Sequence, residues 1–252
     1  MRRLDLYLQY DRPLNAGERD RFRSLFRRRL AHEPLQYIVG ETVFMGLRFA
    51  VDRRVLIPRP ETEELVEEAV TLARRAGGAW KDVLDVGTGS GNIAVALAHM
   101  LPGALVTSFD VSAAALDLAR QNAILNAVAN VTFEEGDLFE DRPWDEPYDL
   151  VVANPPYVSA AEYASLEQEV RDFEQRIALT DDADGLRCLR RIAQSAAHCL
   201  RPGGGLCVEI AWNQGEEAAA LAAGLGFRNV AVKPDVAGHP RMLTALAPHP
   251  RG

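Results

Sequence analysis

Cysteine is scarce in this sequence of 252 residues, which contains only Cys188, Cys199 and Cys207. No two of them are spaced as C-x-x-C, so a zinc ribbon and a dense disulfide framework are both excluded. We therefore expect no metal site. We interpret the three thiols as small, buried apolar side chains in a reducing compartment.

Basic charge and long apolar runs are also in short supply. Lys and Arg number 28 against 36 Asp and Glu, a formal net charge of −8, which disfavours nonspecific binding to nucleic acid or to anionic membranes. The longest uncharged stretch runs from Val86 to Phe109 and contains glycines and a proline, so it is a poor membrane span. Asp5 and Asp11 interrupt any apolar core of a signal peptide. We expect a cytoplasmic protein without a membrane partner.

Apolar runs alternate with amphipathic segments along most of the chain, whose composition is 48% hydrophobic and 25% charged, as in globular proteins. From Trp80 onward the predicted strands cover 82–86, 105–109, 131–133, 149–153, 206–210, 230–232 and 242–246, and the predicted helices cover 92–101, 113–125, 186–200 and 216–225. This order predicts an α/β fold with a mostly parallel sheet and helices on both faces.

The N-terminal part has different periodicities. Residues 1–36 have helical spacing, residues 37–57 read as two short strands around Met45-Gly46, and a helix is expected from Pro60 to about Ala76. We therefore divide the chain into a helical segment (1–36), a β-hairpin linker (37–57) and an α/β domain (58–252). The second N-terminal helix is basic because of Arg21, Arg23, Arg27, Arg28 and Arg29. We interpret it as a solvated helix face, with a docking surface for a large partner as the alternative.

A glycine-rich loop, Asp85-Val86-Gly87-Thr88-Gly89-Ser90-Gly91, joins a predicted strand to a predicted helix. Its glycines allow a tight turn, a ligand close to the backbone and close packing of the helix. Asp110 ends the next strand, where a carboxylate can accept hydrogen bonds from both hydroxyls of a ribose. The G-x-G-x-G spacing is tighter than a dinucleotide fingerprint and resembles the S-adenosylmethionine (SAM) site of class I methyltransferases, which places Asp85 near the ammonium group. A glycine turn without a ligand is the alternative.

The turn Gly136-Asp137-Leu138-Phe139 follows the third strand of the alternating region. By the same resemblance this turn flanks the adenine, and Asp137 accepts a hydrogen bond from the exocyclic amine. A solvated turn is the alternative interpretation.

The segment Asn154-Pro155-Pro156-Tyr157 follows a central strand, at the edge where open α/β sheets place their sites. The prolines stiffen the loop and remove two N–H donors, which leaves the Asn154 side-chain oxygen and the Pro155 carbonyl as acceptors beside the aromatic wall of Tyr157. Two fixed acceptors suit a conjugated –NH2 group, because holding both N–H bonds can turn the nitrogen lone pair toward a methyl donor. A stiff loop that simply leaves a strand is the alternative.

These motifs together resemble amino methyltransferases that act on a planar nitrogen. Two further segments, Glu33-Pro34-Leu35-Gln36-Tyr37-Ile38-Val39-Gly40 and Val55-Leu56-Ile57-Pro58-Arg59-Pro60-Glu61-Thr62-Glu63, are similar to the HemK/PrmC family of peptide-chain release factor glutamine methyltransferases. The likeness continues through Glu174 and through Glu209 with Gln214.

The resemblance implies a class I, Rossmann-like methyltransferase that uses SAM to methylate the glutamine amide in the Gly-Gly-Gln loop of a release factor. It implies catalytic roles for Asn154, Pro155 and Tyr157, and substrate contacts from Asn154, Pro155, Pro156 and Tyr157. The cofactor contacts it implies are Asp85, Gly87, Thr88, Gly89, Ser90, Gly91, Asp110, Asp137, Leu138 and Asn154. Four features depart from the family pattern: Leu138 replaces a frequent tryptophan, Gln175 replaces a proline, Thr180–Ala183 lacks the usual glycines, and the N-terminal helical segment is short.

Two other functions share part of this pattern. An adenine-N6 nucleic-acid methyltransferase would use Asn154 in the same way, but it needs a basic channel for a flipped base, which a chain of net charge −8 does not readily supply. A non-catalytic SAM-binding protein would not need acceptors for an amine.

Overall fold

The computed structural model describes residues 3–140 and 147–248. Residues 1–2 of the predicted helical segment, and residues 141–146 and 249–252 of the predicted α/β domain, lie outside the described residues. Among the described helices, none is both long and apolar enough to cross a membrane.

Seven strands form the central sheet in the order β5-β4-β3-β6-β7-β9-β8. The first five in that order are parallel neighbours, and β9 pairs antiparallel with both β7 and β8. The strands are β3 (Asp82–Val86), β4 (Leu105–Asp110), β5 (Val131–Glu135), β6 (Tyr148–Ala153), β7 (Leu200–Glu209), β8 (Arg228–Pro234) and β9 (Pro240–Leu246). The predicted α/β fold with a mostly parallel sheet is confirmed.

Helices cover both faces of this sheet. The long helices of the domain are α4 (Pro60–Arg75), α5 (Asn92–Met100), α6 (Ala113–Leu125), α10 (Arg187–Cys199) and α11 (Gly215–Gly224). One apolar core contains side chains of α10 and α11, such as Ile192 and Ala218. The other contains side chains of α4 and α5, such as Leu65 and Leu97. Burial on both sides explains why β6 is apolar at almost every position and buried throughout.

The described N-terminal residues form three helices and a β-hairpin, of which the hairpin packs on the domain through α6. They are α1 (Arg3–Leu8), α2 (Ala16–Leu30), α3 (Leu35–Val39) and the antiparallel hairpin β1 (Glu41–Phe44) and β2 (Leu47–Ala50). Asn122 on α6 joins the hairpin to the domain, because its side chain accepts from the Ala50 amide at 2.7 Å and donates to the Ala50 carbonyl at 3.0 Å.

Helix α2 has no buried side chain among the described residues. Phe22 and Phe26 stack on its surface with ring centroids 5.8 Å apart. Three of its five central arginines are ion-paired, namely Arg23 with Asp20, Arg28 with Glu33 and Arg29 with Glu169. The basic helix predicted from the sequence is therefore largely solvated and partly neutralised.

Residues 37–39 of the predicted hairpin linker belong to helix α3, and the largest departures from the predicted elements lie in two other places. Strand β7 begins at Leu200, six residues before the predicted start, and the predicted helix before it ends at Cys199. The region after β6 contains three short helices that were not predicted, α7 (Ala160–Tyr163), α8 (Gln168–Phe173) and α9 (Arg176–Leu179).

Candidate active site

The sequence motifs converge at the carboxyl edge of the parallel strands. Loops that leave β3, β4, β5 and β6 line one cavity, because the ends of neighbouring parallel strands lie side by side. The residues these loops contribute include Gly87, Thr88, Gly89, Ser90, Asp110, Gly136, Asp137, Leu138, Phe139, Asn154, Pro155 and Pro156.

Positive backbone angles shape the loop after β3. Gly87, Gly89 and Gly91 have φ of 85°, 53° and 80°, a region that favours glycine. The amides of Gly87 and Thr88 both donate to the Phe109 carbonyl, at 3.0 and 3.1 Å, so the loop is held on the end of β4. A Cβ at Gly87 or Gly89 would meet no atom within 4 Å, so a side chain there would extend into open space rather than clash with protein.

Gly91 has a different role from the two glycines before it. A Cβ at Gly91 would lie 3.0 Å from the Ala119 Cβ and 3.2 Å from the Ala119 Cα. Its missing side chain lets the start of α5 pack directly on α6. Gly91 therefore shapes the loop by packing and is not among the residues on the cavity wall.

Asp85 is fully buried between the loop and β4. Its Oδ2 atom accepts a hydrogen bond from Ser108 Oγ at 2.7 Å, and Ser108 Oγ lies 2.6 Å from Thr88 Oγ1. Burial raises the pKa of Asp85 to about 8, against the hydrogen bond from Ser108, which lowers it. The structure thus places this carboxyl behind the loop, where it contacts the cavity wall through Ser108 and Thr88.

Asp110 lies on the cavity wall with its carboxylate held in place by the backbone. Oδ2 accepts from the Gly89 amide at 2.8 Å and Oδ1 accepts from the Ser112 amide at 2.9 Å. Each carboxylate oxygen can accept a further hydrogen bond from a ligand. Burial raises the pKa of Asp110, and the backbone donors oppose that rise.

The turn after β5 is fixed to helix α10. Arg191 donates to the carbonyls of Leu138 at 3.0 Å and Glu140 at 2.8 Å. Asp137 Oδ1 accepts from the Phe139 amide at 2.9 Å, and within residues 3–140 and 147–248 no hydrogen bond to its other oxygen is seen. Leu138 packs on the core, whereas the Phe139 ring lies 4.2 Å from the guanidinium carbon of Arg187. An aromatic ring is therefore present on the cavity wall next to position 138.

Asn154 is held from behind by a hydrogen-bonded chain. Its Nδ2 atom donates to Thr62 Oγ1 at 3.1 Å, and Thr62 Oγ1 donates to Glu209 Oε2 at 2.7 Å. The Tyr157 hydroxyl donates to Glu209 Oε1 at 3.3 Å. Burial raises the pKa of Tyr157, and the nearby Glu209 charge raises it further. Tyr157 therefore stays a neutral phenol.

A second cavity adjoins the first and shares Leu56, Arg59, Asn154, Pro155 and Ala178 with it. Tyr157 lines this second cavity, together with side chains from the short helices after β6. The buried Glu174 carboxylate, between α8 and α9, ties these short helices to the segment before α4, since it accepts from Arg59 Nη2 at 2.5 Å and from the Ile57 amide at 3.3 Å. The site therefore has two connected compartments, with Asn154 and Pro155 between them.

Two residues of this site, Thr62 and Glu209, received no role from the sequence. A role for Glu209 could have been predicted from its sequence position, because it is an acid inside the apolar run Leu206-Cys207-Val208-Glu209-Ile210. Thr62 lies in the segment 55–63, which indicated the family but gave Thr62 no role of its own. Among the described residues, no group of three or more His, Cys, Asp or Glu side chains could hold a metal ion.

Comparisons with known proteins agree with this architecture. A family model described as a methyltransferase domain matches residues 79–233, and a model of the PrmC N-terminal domain matches residues 1–40. The release factor glutamine methyltransferase of Chlorobaculum tepidum is 44% identical over 98% of this chain and 86% of its own length. The proteins of that name from Geobacter sulfurreducens and Bordetella pertussis are 45% and 46% identical, over 89% and 91% of this chain and 77% and 84% of their own lengths.

Solved structures agree at the level of the fold. The ribosomal protein L11 methylase of Lactobacillus delbrueckii subsp. bulgaricus superposes with a TM-score of 0.55 at 22% identity, covering 77% of this chain and 82% of that one. A SAM-dependent methyltransferase from Streptococcus mutans gives a TM-score of 0.54 at 15% identity, over 82% of this chain and 55% of that one.

Proposed function

The chain belongs to the release factor glutamine methyltransferase family, and on that premise we propose that it methylates the glutamine side-chain amide in the Gly-Gly-Gln motif of a peptide-chain release factor. The observation that carries the proposal is the position of Asn154, whose side chain lies between two connected cavities and is held there through its Nδ2 atom.

The first cavity fits SAM. Asp110 offers two fixed carboxylate oxygens for ribose hydroxyls, and the glycine loop brings backbone close to open space. Asp137 has one oxygen free for the adenine amine, and Leu138 and Phe139 supply an apolar wall. We assign the remaining cofactor contacts to Thr88, Ser90 and Asn154, and we assign Asp85 and Gly91 the role of shaping the loop from behind.

The second cavity fits a glutamine side chain. When bound, SAM supplies a methyl group on a sulfonium sulfur that is a good leaving group. Asn154 Oδ1 and the Pro155 carbonyl accept hydrogen bonds from the two N–H groups of the glutamine amide. Tyr157 limits its movement from the wall of the second cavity, and Pro156 limits it from the side of the first cavity. Fixing both N–H bonds weakens conjugation of the nitrogen with its carbonyl and aims the lone pair at the neighbouring cavity, so alignment carries most of the rate enhancement. After methyl transfer the cationic nitrogen gives its proton to solvent water, so no strong base is needed earlier.

We also propose that residues 1–36 help to dock the release factor and that the reaction takes place in the cytoplasm. Helix α2 presents the exposed, stacked rings of Phe22 and Phe26 beside arginines that are only partly neutralised. The three cysteines of the protein are free thiols, which supports a reducing compartment such as the cytoplasm.

Methyl transfer to a purified release factor tests the proposal. Mass spectrometry should find one added methyl group, about 14 Da, on the Gly-Gly-Gln peptide. A release factor in which that glutamine is replaced by alanine is the matched control and should gain nothing. DNA and tRNA are assayed in parallel, and methylation of adenine without methylation of the release factor would contradict the proposal in favour of a nucleic-acid enzyme.

A further inference from the structure

The hydrogen-bonded chain behind Asn154 is not used by the transfer mechanism described above. It ends at Glu209, whose carboxyl is 1% exposed at the end of β7, and it passes through Thr62, which is also 1% exposed. Burying a carboxylate is costly unless its oxygens are hydrogen-bonded, and both oxygens of Glu209 are, one to Thr62 and one to Tyr157. An acid kept at this depth behind the substrate-binding loop calls for a functional reason.

A carboxamide has an accepting end and a donating end of nearly the same shape. The proposed reaction needs the oxygen of Asn154 to point at the glutamine, because an –NH2 group there would face another –NH2 group. A neighbouring group must therefore favour one of the two orientations of the Asn154 carboxamide.

The hydrogen-bond donors and acceptors of Glu209 and Thr62 determine the orientation of Asn154. An ionised Glu209 can only accept, so Thr62 must give its single hydroxyl hydrogen to it. The Thr62 oxygen is then left with lone pairs alone, and Asn154 can satisfy it only by presenting Nδ2. We propose that Glu209 is a positioning residue that acts through Thr62 to turn the Asn154 side-chain oxygen toward the bound glutamine; this inference rests on the proposed function.

Protonation of Glu209 removes the constraint. A protonated carboxyl can donate to Thr62, which frees the Thr62 hydroxyl to donate to Asn154 Oδ1 and lets the amide reverse. Burial raises the pKa of Glu209 to about 7, while hydrogen bonds from Thr62 and Tyr157 act against that rise. The rate of methyl transfer should therefore fall as the pH drops below about 7.

Charged side chains on two other elements act on the pKa of Glu209. Arg241 on β9 lowers its pKa, and Glu61 on α4 raises it. Asp235 lies 3.5 Å from Arg241 and shares its charge. These charges set the pH at which Glu209 titrates. The substitution at position 209 tests whether Glu209 itself causes the acidic limb of the pH profile.

Matched substitutions at Thr62 test the positioning role. Thr62→Val keeps the shape but removes the hydroxyl, and it should lower kcat on the order of 10-fold or more, with KM for the release factor and SAM affinity changed much less. Thr62→Ser keeps the hydroxyl and should restore the rate to within about 3-fold of the parent. Equal kcat in the parent and the valine variant would overturn the proposal.

Glu209→Gln tests the source of the orientation. Glutamine is neutral at every pH and can present either its oxygen or its amine to Thr62, so the variant should have a lower kcat than the parent and no acidic limb near pH 7. Retention of the parent pH profile would contradict the proposal. Thermal unfolding midpoints of all three variants are measured beside the kinetics, because a purely structural role would lower the midpoint without moving the pH profile.

A readout that does not need the reaction separates this inference from the proposed function. Neutron crystallography of the deuterated protein at pH 8 should find the Thr62 deuterium directed at Glu209 and both Asn154 side-chain deuteriums on the atom facing Thr62. In Glu209→Gln the Thr62 deuterium should be divided between the direction of residue 209 and the direction of Asn154. If these positions hold but no release factor is methylated, only the proposed function fails; if methylation occurs and the deuterium positions are the same in both proteins, the positioning role is wrong.

Discussion

The Asp110 carboxylate accepts a hydrogen bond from the Gly89 amide at 2.8 Å, so the acid that would bind ribose also holds the tip of the glycine loop. Its second oxygen is held by the Ser112 amide at 2.9 Å. One side chain thus couples the conformation of the loop to the ribose subsite. Loss of this carboxylate should weaken cofactor binding in two ways, through the missing ribose acceptor and through a looser loop.

Asp110→Ala should therefore weaken SAM binding on the order of 10-fold or more, since each lost hydrogen bond to a charged group is worth about 1.5–3 kcal/mol. Isothermal titration calorimetry measures the change directly. Glu134→Ala, an exposed carboxylate on the neighbouring strand β5, is the control and should leave the affinity unchanged. A parent-like dissociation constant for Asp110→Ala would show that the ribose does not bind at this carboxylate.

Gly91→Ala should destabilise the fold by about 1–3 kcal/mol, because it combines an unfavourable positive φ with overpacking. The added Cβ would lie 3.0 Å from the Ala119 Cβ, at a backbone φ of 80°. Gly224→Ala, at the end of α11, is the matched control, since a Cβ there would meet no atom within 4 Å. Urea unfolding of both variants provides the free energies, and equal stability of the two would mean that α5 and α6 can move apart without cost.

The contribution of Asp85 to stability should fall as the pH rises from about 4, the ordinary pKa of an aspartate, toward about 8, the pKa of the buried Asp85. In that window the folded state holds a proton that the unfolded state releases, so each rise in pH favours unfolding. Glu209 contributes with the same sign because its pKa is also raised, to about 7. Asp85→Asn keeps an acceptor for Ser108 and removes the titration.

Urea unfolding at pH 5 and pH 8 compares the parent with Asp85→Asn. The loss of stability between the two pH values should be smaller in the variant, by at most about 1.4 kcal/mol per pH unit for one proton. The same loss in both proteins would mean that Asp85 is ionised across this range.

The parts of the fold that the sequence predicted well are those with strong periodicity, such as α6, whose bounds agree with the predicted 113–125. The early start of β7 was missed because Pro202-Gly203-Gly204-Gly205 is typical of a turn. In the structure Gly205 is required by packing, since a Cβ there would lie 2.6 Å from the Trp80 ring. The helices α7 to α9 have four to six residues each, which is too short to show a helical period.

The candidate site was also predicted only in part from the sequence. Motifs at strand ends indicated the loops that line the cavity, because adjacent parallel strands bring their ends together. Thr62 and Glu209 were not given roles, since the two residues are 147 positions apart in the sequence and only the folded chain shows their contact. The motif also could not predict that Asp85 is buried, because it places an acid before the glycines but does not indicate which way the side chain points.

Asn154→Ala should lower the rate of methyl transfer on the order of 10²-fold, because it removes one of the two acceptors that orient the glutamine amide. SAM affinity should change little, since Asp110 and the glycine loop supply most of the contacts proposed for the cofactor. Single-turnover kinetics measure the rate, and calorimetry measures the affinity. Asn126→Ala is a useful comparison, because that asparagine also donates through its Nδ2 atom but joins α6 to the hairpin through the carbonyls of Asn122 and Arg48. It should lower stability and leave the rate near that of the parent, whereas full activity of Asn154→Ala would show that the amide is oriented by other groups.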